Sequence, residues 1–202
     1  MAADGLKVIS YAFKEIETGE LDRLFQSYSD ESDEFRWELE QDLIYLCTFG
    51  LEDPCRVGLK GHVQKLRYGK EYGDVNDIPS SDSRNNQVNV RLMTGDHVET
   101  ARKAGLEAGI ITASESMEDG CVMHAQELRD HLEGYTKTWD PVKSQFQIVF
   151  HNFTKFDELK KRLKIIARAT SEEKLIMVEG IKRRSGMIGM TGDSIADAEA
   201  LK

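Results

Sequence analysis

Two Thr-Gly-Asp triplets, Thr94-Gly95-Asp96 and Thr191-Gly192-Asp193, each close a short apolar run and open a stretch of helical character. The run before the first, 88–93 (VNVRLM), alternates as a strand does, and 98–109 after it has the apolar spacing of a helix. Between the triplets the pattern recurs: 146–150 (FQIVF) is expected as a strand, 154–163 as a helix, 164–167 as a strand and 172–183 as a helix. Residues 186–190 (GMIGM) are expected as a further strand leading into the second triplet. Strand, loop and helix in alternation predict an α/β domain with a largely parallel sheet. Both triplets then fall at the carboxyl ends of strands, where open α/β sheets bind ligands.

The amino-terminal quarter differs. Residues 7–13 (KVISYAF) and 42–49 (DLIYLCTF) have the β-branched and aromatic content of strands. The acidic stretch 17–40 between them is expected to be a solvated loop with some helix. Around 50–56 (GLEDPCR) the chain turns at a proline, and helical spacing follows over 57–66. These shifts divide the sequence into 1–52 and 53–202. Within the second part, 67–87 is poor in apolar residues and dense in Gly, Asp, Ser and Asn, as expected of a polar surface insertion.

With 202 residues and 40% hydrophobic composition, the chain holds one ordinary core, or one domain and a piece of another. Its net charge of −9 argues against nucleic acid as a partner, because affinity for a phosphate backbone needs clustered cations. Cys47, Cys55 and Cys121 are odd in number and widely spaced, giving neither a disulfide framework nor a zinc site, which fits a reducing, cytosolic compartment. No window approaches the roughly 18 to 20 apolar residues that span a bilayer.

The triplets point to phosphoryl chemistry. Glycine lets backbone N–H groups approach an anion, threonine adds a hydroxyl donor, and a helix N-terminus favours negative charge. An aspartate beside a phosphoryl group needs an intervening cation, which makes Asp193 a candidate Mg²⁺ ligand. Lys174, near the start of a helix, supplies the complementary charge. Taken singly, either triplet is equally an ordinary turn and helix cap. The five histidines lack ligand spacing, and packing or surface roles are expected for them, while aromatic packing is expected of Trp37 and Trp139.

The order of the blocks resembles one family along nearly the whole chain. Val90 through Asp96, with Thr100-Ala101 and Gly109-Ile110, is similar to the first T-G-D block of type II P-type ATPases. Ala167-Arg168, followed by Lys174, resembles their lysine-bearing block, and Met190 through Lys202 is similar to their T-G-D-G-x-N-D-x-P-A-L-K signature. Gly50 through Arg56 resembles the hinge between nucleotide and phosphorylation domains, and the first sixteen residues, with Gly5-Leu6-Lys7, resemble the end of the nucleotide domain in plasma-membrane calcium pumps.

That resemblance implies an incomplete haloacid-dehalogenase-like Rossmannoid parallel sheet over 53–202, preceded over 1–52 by a β-containing tail of the nucleotide-binding domain. It implies a segment of an ATP-driven cation pump, calcium being the implied ion, with ATP as substrate and Mg²⁺ as cofactor. Thr94 and Gly95 would hold the transferred phosphoryl group, Lys174 would neutralise it, and Asp193 would ligate Mg²⁺ with Asp197 supporting it from behind. Asp53 and Arg56 would belong to the hinge and nucleotide approach, with Asp96 a further candidate. The implied partners are the rest of the pump, namely the remaining nucleotide domain, the actuator domain and transmembrane helices, with this segment on the cytosolic face of the membrane.

The sequence departs from the family pattern in two ways. The phosphorylated aspartate of the D-K-T-G-T motif is absent from these 202 residues, so an excerpt of a pump is expected. Within the signature, Ser194 replaces the usual glycine, Ala196 the usual asparagine and Glu199 the usual proline. These changes predict an altered backbone at 194, a lost hydrogen-bonding side chain at 196 and extra negative charge at 199. The alternative is a soluble, non-catalytic binding or regulatory module that retains Mg²⁺ and phosphate affinity. A free-standing phosphatase of the same fold is disfavoured, since it too needs an aspartate nucleophile.

Overall fold

A computed structural model describes residues 1, 4–29, 32–69, 88–142, 144–183 and 186–202. The chain divides into two compact units, one formed by Val8–Leu51 and the other by Met1–Lys7 with Glu52–Lys202.

In the smaller unit, strand β1 (Lys7–Phe13) is hydrogen-bonded to β2 (Ile44–Leu51), with helices α1 (Thr18–Ser27) and α2 (Asp33–Leu39) between them in sequence. Tyr11 and Phe49 meet edge to face at 5.9 Å, and the Ser10 and Thr48 hydroxyls share a hydrogen bond at 2.8 Å. The acidic stretch is more helical than its composition suggests. Ser32 caps α2 by accepting from the Phe35 N–H, and Phe35 is buried with its ring 5.1 Å from that of Phe25. A few apolar anchors at helical spacing outweigh the surrounding charge there.

The larger unit is built around a parallel sheet of β3 (Leu92–Met93), β7 (Ile165–Ala167) and β4 (Val122–His124), in the order β3-β7-β4. Ile165 pairs with both Leu92 and Val122, so β7 is the central strand. Its side chains alternate between two cores. Ile165 and Ala167 pack with Val63, Ala101 and Ile111, while Ile166 packs with Leu128, Phe156 and Ile176. A strand covered on both faces has no polar side, which explains the apolar run Ile165-Ile166-Ala167 in the sequence.

One face carries α3 (Leu59–Tyr68) and α4 (Val98–Glu107); the other carries α6 (Ala125–His131), α7 (Phe153–Arg162) and α8 (Ser171–Arg183). A one-turn helix, α5 (Ala113–Ser116), precedes β4, and α9 (Ala198–Leu201) closes the described chain. Close helix approach is set by glycine: a Cβ at Gly105 on α4 would overlap Ile165, and one at Gly180 on α8 would overlap the Phe156 ring. The expected α/β class with a parallel sheet is therefore present.

Several local expectations are corrected. Residues 146–150 do not join the parallel sheet: β6 (Gln145–Phe150) pairs antiparallel with β5 (Tyr135–Asp140), in a register that sets Trp139 against Phe146 and Lys137 against Ile148. Alternation marks a strand without naming its partner, and the short 141–144 connection favours the local hairpin. Residues 186–190 form no strand pairing; Met187 is fully exposed and two glycines weaken the segment. Of the expected strand 88–93, only Leu92–Met93 is paired. The expected polar insertion falls at 70–87 outside the described residues, but Arg67 within it is a buried helical residue. It donates to the Gly109 carbonyl at 2.9 Å and to both Glu115 carboxylate oxygens at 2.7 and 2.9 Å. No helix among the described residues is long and apolar enough to cross a membrane.

Candidate phosphoryl site

The first triplet lies where β3 ends. Sheet hydrogen bonding continues past the strand, from the Thr94 N–H to the Ile166 carbonyl at 3.0 Å, and the Ala169 and Arg168 N–H groups donate back to the Thr94 and Asp96 carbonyls at 2.8 and 3.0 Å. Arg168 sits at φ 53, a left-handed conformation uncommon for a side-chain-bearing residue, and this bends the chain from β7 toward α8. Thr94 donates its hydroxyl to the Asp96 carboxylate at 2.9 Å and accepts from the Asp96 N–H at 3.1 Å. Gly95 is exposed, with only the Ala169 carbonyl near the place of a Cβ, at 4.0 Å. His97 caps α4 by accepting from the Glu99 N–H at 3.3 Å, the kind of structural role expected for the histidines.

The turn from β7 delivers Lys174 in the first turn of α8. Glu173, fully buried, accepts from the Thr170 N–H and hydroxyl at 2.8 and 2.7 Å and is ion-paired with Arg129, which fixes the helix start. Lys174 is itself buried and donates to the Asp197 carboxylate at 2.6 Å, an ion pair with both side chains almost wholly out of solvent. The second oxygen of Asp197 accepts from the Asp193 N–H at 3.2 Å, the Ser194 N–H at 3.0 Å and the Ser194 hydroxyl at 2.8 Å. The Lys174 contact first, then the Ser194 donors, hold the Asp197 carboxyl far below the ordinary carboxylate range.

Thus the structure brings together Lys174, Asp197 and the backbone of the second triplet, although the strand expected before that triplet is absent. A Cβ on Gly192 would lie 2.5 Å from the Asp197 Cβ and 2.7 Å from its Cγ, so this position admits only glycine without rearrangement. The changes within the signature also take definite form. Ser194 is extended (φ −122, ψ 162), a conformation any residue adopts, and its hydroxyl adds a donor to Asp197. Glu199 is paired with Lys137 at 2.8 Å, and Ala196 is exposed.

Asp53 accepts from the Lys7 ammonium at 2.9 Å. That bond, with the charges of Asp96 and Asp193, raises the Lys7 pKa, and the same bond lowers that of Asp53. The bond of Lys7 to Asp53, 46 positions away, was not legible in the sequence, which marks Lys7 only within the Gly5-Leu6-Lys7 resemblance. Arg56 is exposed, its carbonyl capping the turn into α3 by accepting from the Leu59 N–H at 3.1 Å.

No group of three potential metal ligands occurs among the described residues. Asp193 offers one exposed carboxylate. This donor set fits Mg²⁺ in the mode where one or two carboxylates act with substrate phosphate oxygens and water, and does not form an all-protein cage.

No family model matches the chain. It is 27% identical over all of its 202 residues to calcium-transporting ATPase 10, plasma membrane-type, of Arabidopsis thaliana, and 26% identical over the same length to calcium-transporting ATPase 7, plasma membrane-type, of Oryza sativa subsp. japonica. Calcium-transporting ATPase 2 of Cryptococcus neoformans var. grubii is 27% identical over 174 residues, 86% of the chain. The chain spans about 15% of the length of the two plant relatives and 9% of the fungal one. The resemblance to plasma-membrane-type calcium pumps is thereby borne out from end to end.

Proposed function

From a chain homologous along its full length to a segment of plasma-membrane-type calcium-transporting ATPases, we propose that it supplies the phosphoryl- and Mg²⁺-binding loops of an ATP-driven calcium pump. Residues 53–202 form the phosphorylation domain, haloacid-dehalogenase-like in fold, and 1–52 the end of the nucleotide-binding domain. The phosphorylated aspartate, the remaining nucleotide domain, the actuator domain and the transmembrane helices belong to the rest of that pump, with this segment on its cytosolic side.

One observation carries the reading: the buried Lys174–Asp197 pair ties the second Thr-Gly-Asp turn to the helix that starts at the carboxyl end of the central strand. A fixed ammonium in a water-poor setting stabilises charge that develops on a transferring phosphoryl group, because its orientation needs no reorganisation at the moment of reaction. The Thr94 hydroxyl and the backbone around Gly95 are the donors for the phosphoryl oxygens, and Asp96 would release the hydroxyl it now holds. Asp193 would hold Mg²⁺, which when bound offsets phosphate charge, and Asp197 orients the backbone that carries Asp193. Asp53, Lys7 and Arg56 would line the nucleotide approach.

The test is ATP-dependent calcium uptake by membrane vesicles containing the full-length protein. Lys174→Met is expected to lower uptake at least a hundredfold while leaving the protein in the membrane. Undiminished uptake in that variant would remove Lys174 from the chemistry, and absence of uptake in the unaltered protein would refute the pump.

A further inference from the structure

The loop that carries Asp193 is held within itself by the hydrogen bonds of Asp193 and Ser194 to Asp197, and its flanks are weakly anchored. Residues 186–190 before it have no strand partner, Ile195 is 95% exposed, and α9 after it has four residues, too few for a helix to persist unaided. Besides the Lys174–Asp197 pair and the buried Ala200, a side-chain ion pair anchors the segment at its far end. The Lys137 ammonium lies 2.8 Å from the Glu199 carboxylate and 4.4 Å from the centre of the Phe146 ring.

Lys137 is held before it meets Glu199. It lies on β5 opposite the fully buried Ile148 of β6, and Phe146 beneath its ammonium stacks edge to face on Trp139 at 5.0 Å. At the base of the same hairpin, Ile148 and Phe150 pack in one core with Leu175 and Ile176 of α8. The hairpin thus touches the helix that carries Lys174 and the helix that follows Asp197, on both sides of the buried ion pair. Much of the rotamer entropy of Lys137 is already spent in the hairpin, so its pair with Glu199 is worth more than a freely exposed one.

We propose that Lys137 is a positioning residue for the second Thr-Gly-Asp loop: through Glu199, the β5–β6 hairpin sets the orientation of Asp197 and hence of the Asp193 and Ser194 backbone. The role rests on the phosphoryl-site reading for its functional meaning, but the mechanical link stands independently. Glu199 is the partner of Lys137, and its charge is balanced where it arises.

The experiment compares Lys137→Glu, Glu199→Lys, the double charge swap and Lys137→Arg in the full-length protein. Backbone hydrogen exchange is measured over 191–197, with 165–167 as the reference for intact folding. Each single reversal sets like charges together and is expected to raise exchange in the loop about threefold to tenfold with the reference unchanged, while the double swap and Lys137→Arg restore it to within about twofold. The Mg²⁺ concentration that half-saturates turnover is expected to rise severalfold in the single variants, with a smaller change in maximal rate. Loop exchange unaffected by the single reversals, or unrestored by the swap, would overturn the proposal. If the unaltered protein shows no turnover, the pump reading falls, and the exchange comparison still decides the tether.

Discussion

Substituting Gly192 by alanine probes the second triplet by sterics alone. The added methyl would stand 2.5, 2.7 and 2.9 Å from Asp197 Cβ, Cγ and Oδ2, where carbon atoms prefer about 3.5–4.0 Å. The overlap requires a displacement of about 1 Å. Asp197 yields poorly, because Lys174, Ser194 and the Asp193 backbone fix its carboxylate. If the loop yields instead, the two backbone donors at 3.2 and 3.0 Å are lost, at about 1 kcal/mol each. Either route costs about 1–3 kcal/mol, in the range measured for overpacking. In a unit of this size that lowers the melting temperature by about 3–10 °C. Gly95→Ala in the first triplet is the matched control, since its methyl meets nothing closer than the Ala169 carbonyl at 4.0 Å, and a change within about 0.5 kcal/mol is expected. Calorimetry of both variants decides the matter. Equal melting of Gly192→Ala and Gly95→Ala would refute the close approach of the two loop ends.

Three other perturbations test the framework. Ile165→Ala empties a fully buried site at the centre of the sheet and is expected to cost about 2–5 kcal/mol in denaturant unfolding. Glu115→Gln leaves the buried Arg67 guanidinium without its charged partner and is expected to cost about 1–3 kcal/mol, with a double-mutant cycle against Arg67→Met isolating the pair. Tyr135 is pushed up to about 12 by burial, then by the charge and hydrogen bond of Glu172. Since unfolded phenols ionise near pH 10, the stability from its neutral form is complete below that pH and is lost as pH rises from about 10 to 12. Tyr135→Phe is expected to flatten the decline in that window, followed by circular dichroism against pH.

What was legible in the sequence follows from range. Lys7–Phe13 was legible from local composition, and β7 from the apolar run Ile165-Ile166-Ala167 between helical stretches. The partner of β6 was not legible, because alternation gives a strand its faces and leaves its neighbour open; the hairpin is evident only once Trp139 stands against Phe146. The strand expected at 186–190 was over-read from three apolar residues that the glycines separate. In the site, Lys174 and Asp197 could be singled out by motif, but their bond spans 23 positions and no local pattern encodes it. The Lys7–Asp53 and Lys137–Glu199 pairs, at separations of 46 and 62, depend wholly on the fold. Ser194 differs from these long-range pairs: its backbone is extended and its hydroxyl reaches Asp197 only three positions on, a local contact.

Whether these residues serve a phosphoryl-transferring calcium pump is decided by phosphorylating the native protein with labelled ATP and resolving the product by size. A calcium-dependent acyl phosphate is expected on a membrane-bound polypeptide several times larger than 22.9 kDa, greatly reduced by Lys174→Met. A soluble polypeptide near 22.9 kDa that takes up no label would contradict the pump reading.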